Sequence, residues 1–138
     1  MKACVLYISR TGNTKRMAEA ISKSLKAQVF NVATCTGPSV VNDFDLIAIG
    51  TPVTGLQPAP ELQYFVKRLP GCKNKKVILF CTYAIRQGGT LKTLEKELAK
   101  KGYTTILSVS KRGLKLNEDD FADVLDAIEK AVQKAETS

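Results

Sequence analysis

The stretch YISRTGNT, residues 7–14, joins an apolar run to a segment with the pattern of a helix. The run Ala3–Ser9 ends where hydroxyl, amide and glycine residues begin. Behind them Met17, Ile21 and Leu25 recur every four residues, which predicts an amphipathic helix. The first N–H groups of a helix have no partner within it, and the helix dipole is positive there. Short donors between a strand and such a helix start therefore favour an anion site.

Five runs rich in apolar and β-branched residues are predicted as strands. They are Ala3–Ser9, Gln28–Ala33, Leu46–Thr51, Lys76–Thr82 and Thr104–Ser110. Several of these runs are continuous rather than alternating, which indicates strands covered on both faces, as in a parallel sheet between helices. The alternation of strands with helical patterns predicts an α/β fold, a doubly wound five-stranded parallel sheet with helices on both faces. We expect a single domain over residues 1–138.

Three more apolar stripes have helical spacing. They comprise Leu62, Phe65, Val66 and Leu69; Leu91, Leu94 and Leu98; and Phe121, Val124, Leu125, Ile128 and Val132. Asn117 precedes three acidic residues, so it is predicted to cap the last helix. Residues 34–45 hold at most a short helix around Val40 and Val41.

The residue types exclude several kinds of chemistry. The 138-residue chain has no histidine, so a Ser-His or Cys-His nucleophile is excluded. Its four cysteines contain no C-x-x-C pair, which argues against the usual zinc sites. Cys4 and Cys81 lie in apolar runs and are expected to be buried thiols. No run approaches membrane-spanning length, so we expect a cytoplasmic protein with no membrane partner.

The chain is strongly basic, with 21 Lys and Arg against 13 Asp and Glu and a formal charge of +8. Such an excess suggests an acidic partner. The basic residues are dispersed with few interleaved aromatics, so a nucleic-acid partner is not expected.

The loop at the start of the first helix fits one compact phosphate. Neither the nucleoside-triphosphate motif G-x-x-x-x-G-K-[ST] nor the dinucleotide motif G-x-G-x-x-G is present. The candidate ligands are Ser9, Arg10, Thr11, Gly12, Asn13 and Thr14. The alternative is a plain turn with a helix cap, because the same residue types are favoured there.

SRTGNT followed by KRMAEAI resembles the phosphate loop of the flavodoxin family, whose pattern is roughly [ST]-x-T-G-x-T. The resemblance extends over essentially the whole chain. It implies the strand order 2-1-3-4-5, with FMN bound without a covalent link at the gap between the first and third strands. It also implies a monomer that shuttles low-potential electrons between redox partner proteins, in which no side chain is catalytic.

The resemblance implies that two further loops grip the flavin ring. In the first, Gly50–Pro60, the expected contacts are Pro52, Val53, Thr54 and Gly55. The family often has an aromatic residue here and this chain does not, so one face of the ring would have aliphatic contacts. The Gly55 carbonyl is expected to accept a hydrogen bond from the flavin N5–H after reduction. The alternative is an ordinary connection stiffened by prolines.

The second ring loop is expected after the fourth predicted strand. Its candidate residues are Thr82, Tyr83, Ala84 and Gly88, with Tyr83 stacked on the ring. The alternatives are a tyrosine that packs on a neighbouring loop and a glycine that only forms a turn.

Two other functions are compatible with the same resemblance. One is an FMN-dependent NAD(P)H or quinone reductase, and the other is an interaction domain that has lost the cofactor. Several basic residues follow the predicted strands or open the next helices, and these are Arg10, Lys15, Arg16, Arg86, Lys111 and Arg112. If they border the flavin, its potential should be less negative than in acidic relatives, and the redox partner should have an acidic docking surface.

Overall fold

A computed structural model describes residues 1–34 and 37–137. The strands are β1 (Ala3–Tyr7), β2 (Gln28–Asn31), β3 (Leu46–Thr54), β4 (Gln57–Pro58), β5 (Lys76–Tyr83) and β6 (Thr104–Arg112). The α-helices are α1 (Asn13–Leu25), α2 (Pro60–Lys67), α3 (Thr90–Lys100) and α4 (Ala122–Thr137). Short 3₁₀ helices cover Pro38–Asp43 and Glu118–Phe121. None of the helices in the described part of the chain is long and apolar enough to cross a membrane.

The main strands form a parallel sheet in the order β2-β1-β3-β5-β6. This confirms the predicted order of the five long strands. The additional strand β4 was not predicted; it pairs antiparallel with the end of β3. From β1 the chain proceeds to β2 on one side, and then to β3 on the other. This reversal leaves a crevice at the carboxyl ends of β1 and β3, the usual ligand position in open α/β sheets.

The core lies in two layers, one on each face of the sheet. Alternate residues of β1 belong to different layers, since Leu6 packs in one and Val5 in the other. Helices α2 and α3 cover the first face with buried residues such as Leu62 and Leu94, and α1 covers the second with Met17. Burial on both faces explains why the central strands are continuously apolar in sequence.

The strand ends differ from the predicted ones, because backbone pairing between strands does not begin and end where the apolar runs do. The pairing of β1 ends at Tyr7, opposite Asn31 and Gly50, so β1 and β2 are two residues shorter than predicted. The strands β3, β5 and β6 each continue beyond their apolar runs, and their polar ends still pair, as Thr82 does with Lys111. These longer strands carry residues expected to contact a cofactor, such as Thr54 and Tyr83, into the sheet.

The predicted helix stripes pack on the core, with Leu25, Leu91, Leu125 and Val132 only partly buried. At the start of the last helix, the Asn117 N–H donates to the Asp120 carboxylate at 2.8 Å, as a capping box does, although the first turn is 3₁₀. Cys4 and Cys81 are fully buried, as predicted, and burial raises the pKa of the Cys81 thiol to about 12. Cys35 lies outside the described residues.

Candidate cofactor site

The crevice at the carboxyl ends of β1, β3 and β5 is a cleft with an inner and an outer part. The inner part has a volume of about 220 Å³ and the outer part about 500 Å³. Both are lined by Val53, Tyr83 and Ala84, so they are continuous. The remaining lining residues are Arg10, Thr11, Asn13, Pro52, Thr82, Gly113 and Leu114 inside, and Gly55, Leu56, Ile85 and Arg86 outside.

Most of the residues selected from the sequence come together in this cleft. Ser9, Gly12, Thr14, Thr54 and Gly88 are outside its lining. The first three support the loop from behind. Thr54 is exposed and pairs with Gln57 in the β3–β4 hairpin.

Ser9 caps the start of α1. Its hydroxyl oxygen accepts the backbone N–H of Gly12 at 3.1 Å and that of Lys15 at 3.3 Å. The Ser9 O–H can still donate, because a hydroxyl has one donor in addition to its acceptor sites. Thr11 is exposed at the cleft. The Thr11 hydroxyl and the helix start therefore lie at the inner part of the cleft, and the Ser9 hydroxyl lies against the same turn.

Gly12 makes the turn into α1 and is packed under Arg16. Its φ of +96° is in the left-handed region that favours glycine. A Cβ there would lie 3.0 Å from an Arg16 guanidinium nitrogen, so this position faces Arg16. The Arg16 Nε–H also donates to the Leu116 carbonyl at 2.7 Å. Arg16 thus holds a positive charge at the start of α1. In the sequence, this contact was indicated only by the position of Arg16 one helical turn after Asn13.

Asn13 holds the segment after β6 against α1. Its side-chain NH₂ donates to the carbonyls of Gly113 and Leu114, at 3.4 and 3.0 Å. Its side-chain oxygen accepts from Arg16 at 2.7 Å and from the Leu116 N–H at 2.8 Å. The side chain, expected to donate to a phosphate, is buried and fully used within the protein.

Thr14 and Thr82 form a buried hydroxyl pair. Their Oγ atoms are 2.7 Å apart, and both side chains are almost fully buried. The bond joins the first turn of α1 to the end of β5. The Thr14 side chain therefore fixes the helix start relative to the sheet.

Arg10 forms a bidentate ion pair with Glu61 in the first turn of α2. This hydrogen bonding lowers the pKa of Glu61 to about 2 and raises that of Arg10. The pair ties the loop after β1 to α2, and Glu61 balances the charge of Arg10.

The loop after β3 is a tight β-hairpin. Its two turn residues, Gly55 and Leu56, have φ of +58° and +66°, as a type I′ turn requires. The Leu56 carbonyl accepts the Gly89 N–H at 3.1 Å. A Cβ on Gly88 would lie 2.5 Å from the Leu56 Cβ, so Gly88 provides space for the hairpin tip. Gly88 was expected to contact the cofactor. In the structure it packs against the hairpin tip and does not line the cleft.

The segment after β6 forms a third wall that the sequence analysis did not identify. The Gly113 N–H donates to the Tyr83 carbonyl at 2.9 Å, and the Arg112 side chain donates to the Ala84 carbonyl at 3.1 Å. These bonds hold Leu114 at the cleft. The glycine after the last predicted strand signalled a turn, but nothing in the sequence indicated which elements it contacts.

Comparisons with known proteins agree with this architecture. A family model described as a flavodoxin domain matches residues 4–101. The structure of two-electron reduced Megasphaera elsdenii flavodoxin is 26% identical over 79% of this chain and 85% of its own, with a TM-score of 0.72. Oxidised Flavodoxin 1 from Bacillus cereus is 19% identical over 96% of this chain and 98% of its own, with a TM-score of 0.82.

A flavodoxin from the domain Archaea is 24% identical over 95% of this chain and 99% of its own, with a TM-score of 0.75. At this identity and that of the Bacillus protein, the likeness concerns the fold alone. The family model, in contrast, matches the sequence itself from β1 to the end of α3. On this evidence, the chain belongs to the flavodoxin family.

Proposed function

We propose that the protein binds FMN in this cleft without a covalent link and carries electrons between redox partner proteins. The observation that carries the proposal is the start of α1, which reaches the inner end of a cleft between two loops through Thr11 and Asn13. The Ser9 hydroxyl and the Arg16 cation lie against Gly12 in the same turn. Helix starts of this kind bind phosphates. Membership of the flavodoxin family supports the choice of a flavin.

The residues at the inner end fit a phosphate group. Backbone N–H groups at the start of α1 would hold it, together with the hydroxyls of Ser9 and Thr11. Charge-assisted bonds of this kind are the stronger class of hydrogen bond. Asn13 and Thr14 would contribute through their backbone N–H groups, since their side chains are bonded within the protein. Arg16 would add positive charge from behind Gly12.

The rest of the cleft fits a flat ring system. Pro52 and Val53 form one wall, and Tyr83 and Ala84 form another. We propose that Tyr83 stacks on the ring, because an aromatic face offers more contact area than the aliphatic Val53. The volume also fits, because small-molecule sites usually measure about 300–1,000 Å³ and the inner and outer parts measure about 220 and 500 Å³.

Bound FMN would supply the redox chemistry, and the protein would bind and orient it. The hairpin residues Val53, Gly55 and Leu56 line the outer part of the cleft, so their peptide groups would be available to the ring. Arg86 lines the outer part of the cleft, and Arg112, the last residue of β6, donates to the carbonyl of the lining residue Ala84. Their positive charge would stabilise the negative charge that reduction adds to the flavin. The reduction potential of the flavin would therefore be less negative than in a cleft with an acidic rim.

The proposal is tested by the flavin content of the purified protein. We expect a yellow protein that releases one FMN per chain on denaturation, identified by chromatography and mass. Release of FAD, or failure to take up FMN on reconstitution, would contradict the proposal. Steady-state oxidation of NADPH or NADH by the isolated holoprotein would instead identify an FMN-dependent reductase.

A further inference from the structure

Aliphatic side chains project from three different loops around the mouth of the cleft. Leu56 is 47% exposed, Ile85 77% and Leu114 86%. They make up half of the exposed large apolar side chains among the described residues, although they come from loops far apart in sequence. Scattered exposed apolar residues are ordinary, but a cluster on one surface marks an interaction site. We call these three residues the apolar rim.

The positive charge beside the apolar rim is not balanced within the chain. Arg86 and Lys115 are exposed and belong to no ion pair among the described residues. The cations Arg10 and Lys111, in contrast, are paired with Glu61 and Asp123. The rim therefore presents free positive charge next to apolar surface, a combination that attracts carboxylates and then buries apolar area.

We infer that this rim is the docking surface for a redox protein whose own contact area is apolar and bordered by Asp and Glu. The inference rests on the proposed function, since a carrier must bring its flavin close to the partner. Charge complementarity selects this occupant. A second copy of the same chain would bring the same unpaired cations against the rim, which opposes pairing of identical rims.

The charge component is tested with the holoprotein and two probe proteins, a plant-type [2Fe–2S] ferredoxin as the acidic probe and cytochrome c as the basic one. Binding is measured by calorimetry at low and high salt. We expect binding to the ferredoxin only, weakened at least tenfold in the double variant Arg86→Glu/Lys115→Glu. The matched control Lys73→Glu/Lys96→Glu makes the same change in net charge at exposed lysines outside the cleft lining, and it should bind within about twofold of wild type. At 1 M salt, where the screening length is about 3 Å, the charge variants should converge.

The apolar component is tested with Ile85→Ser/Leu114→Ser against Val29→Ser/Tyr64→Ser, exposed residues that do not line the cleft. Only the first pair should weaken ferredoxin binding, again about tenfold. The inference is overturned if the rim and control variants bind alike, if cytochrome c is preferred, or if duplex DNA or anionic vesicles bind in place of the ferredoxin. Because Ile85 and Leu114 also line the cleft, all variants are compared with wild type at FMN saturation, and unchanged ferredoxin binding by the saturated rim variant overturns the inference.

The two possible failures are separable because FMN content is measured before any probe is added. A chain that takes up no FMN overturns the proposed function at that step, and the docking inference with it. A chain that holds FMN with normal stoichiometry but shows no dependence on the rim overturns the docking inference alone.

Discussion

The hydroxyls of Thr14 and Thr82 lie 2.7 Å apart in the interior, and this bond connects the start of α1, the proposed phosphate site, to the strand that carries Tyr83. Both groups are buried, so each depends on the other as hydrogen-bond partner. The two halves of the proposed site are therefore joined beneath the cleft.

Removal of one hydroxyl of this pair should be more harmful than removal of both. Thr14→Val or Thr82→Val leaves a buried hydroxyl unpaired, which costs about 1–3 kcal/mol, whereas Thr14→Val/Thr82→Val leaves none. Urea unfolding of the apoprotein measures all four free energies of unfolding. Additive losses in the double variant would show that the two hydroxyls are not coupled.

Asn13 should support the whole cleft rather than the phosphate alone. In Asn13→Ala, the segment around Leu114 loses its bonds to α1, so the third wall loosens. If the looser wall costs about 1.4 kcal/mol of binding free energy, the affinities for FMN and for riboflavin should both fall about tenfold. Fluorescence titration with each ligand gives both factors. A loss confined to FMN would instead identify Asn13 as a direct phosphate ligand.

The two glycines of the hairpin contact should differ in their tolerance of alanine. Gly55 and Gly88 have similar φ, +58° and +55°, so the backbone strain of a side chain should be similar. A Cβ at Gly55 meets nothing within 4 Å, whereas one at Gly88 meets Leu56 at 2.5 Å. Gly88→Ala should therefore destabilise the protein by about 1–3 kcal/mol more than Gly55→Ala. Equal thermal stabilities of the two variants would contradict the observed packing.

The ion pair of Arg10 and Glu61 should appear in the acid titration. The pKa of Glu61 in the folded protein is about 2, below its ordinary value of 4.5. Its contribution to stability is therefore present above about pH 4.5 and is lost as the pH falls through about 2. Both side chains are partly exposed, so the effect on stability should be small. NMR titration of the Glu61 carboxyl should give a pKa near 2 in wild type and a higher pKa in Arg10→Gln, where only the hydrogen bond from the Glu61 backbone N–H still lowers it. An unchanged pKa in the variant would contradict the pairing.

The sequence predicts the sheet well because burial on both faces leaves continuous apolar runs, as in β3 and β5. The hairpin from Val53 to Pro58 could not be predicted, because its second strand has only two residues and Leu56 adopts a backbone conformation that leucine rarely takes. Its shape depends on Gly88 and Gly89, which are more than thirty residues away.

The loops that border the cleft could be selected from the sequence, because short hydrogen-bond donors and glycines at strand ends are typical of ligand-binding turns. The structural role of Asn13 was not evident, since its three backbone partners lie about a hundred residues further along the chain. The pairing of Arg10 was not evident either, since Glu61 lies 51 residues further along the chain. Sequence identifies residues able to bind a phosphate, but only tertiary contacts decide which of their side chains remain available.

The central claim is that the start of α1 binds the phosphate of FMN. Titration of the apoprotein with FMN and with riboflavin, which differ only in that phosphate, tests it most directly. Two charge-assisted hydrogen bonds of about 1.5 kcal/mol each correspond to roughly a hundredfold in affinity, so riboflavin should bind at least that much more weakly. Equal affinity for the two ligands would contradict the assignment of the loop.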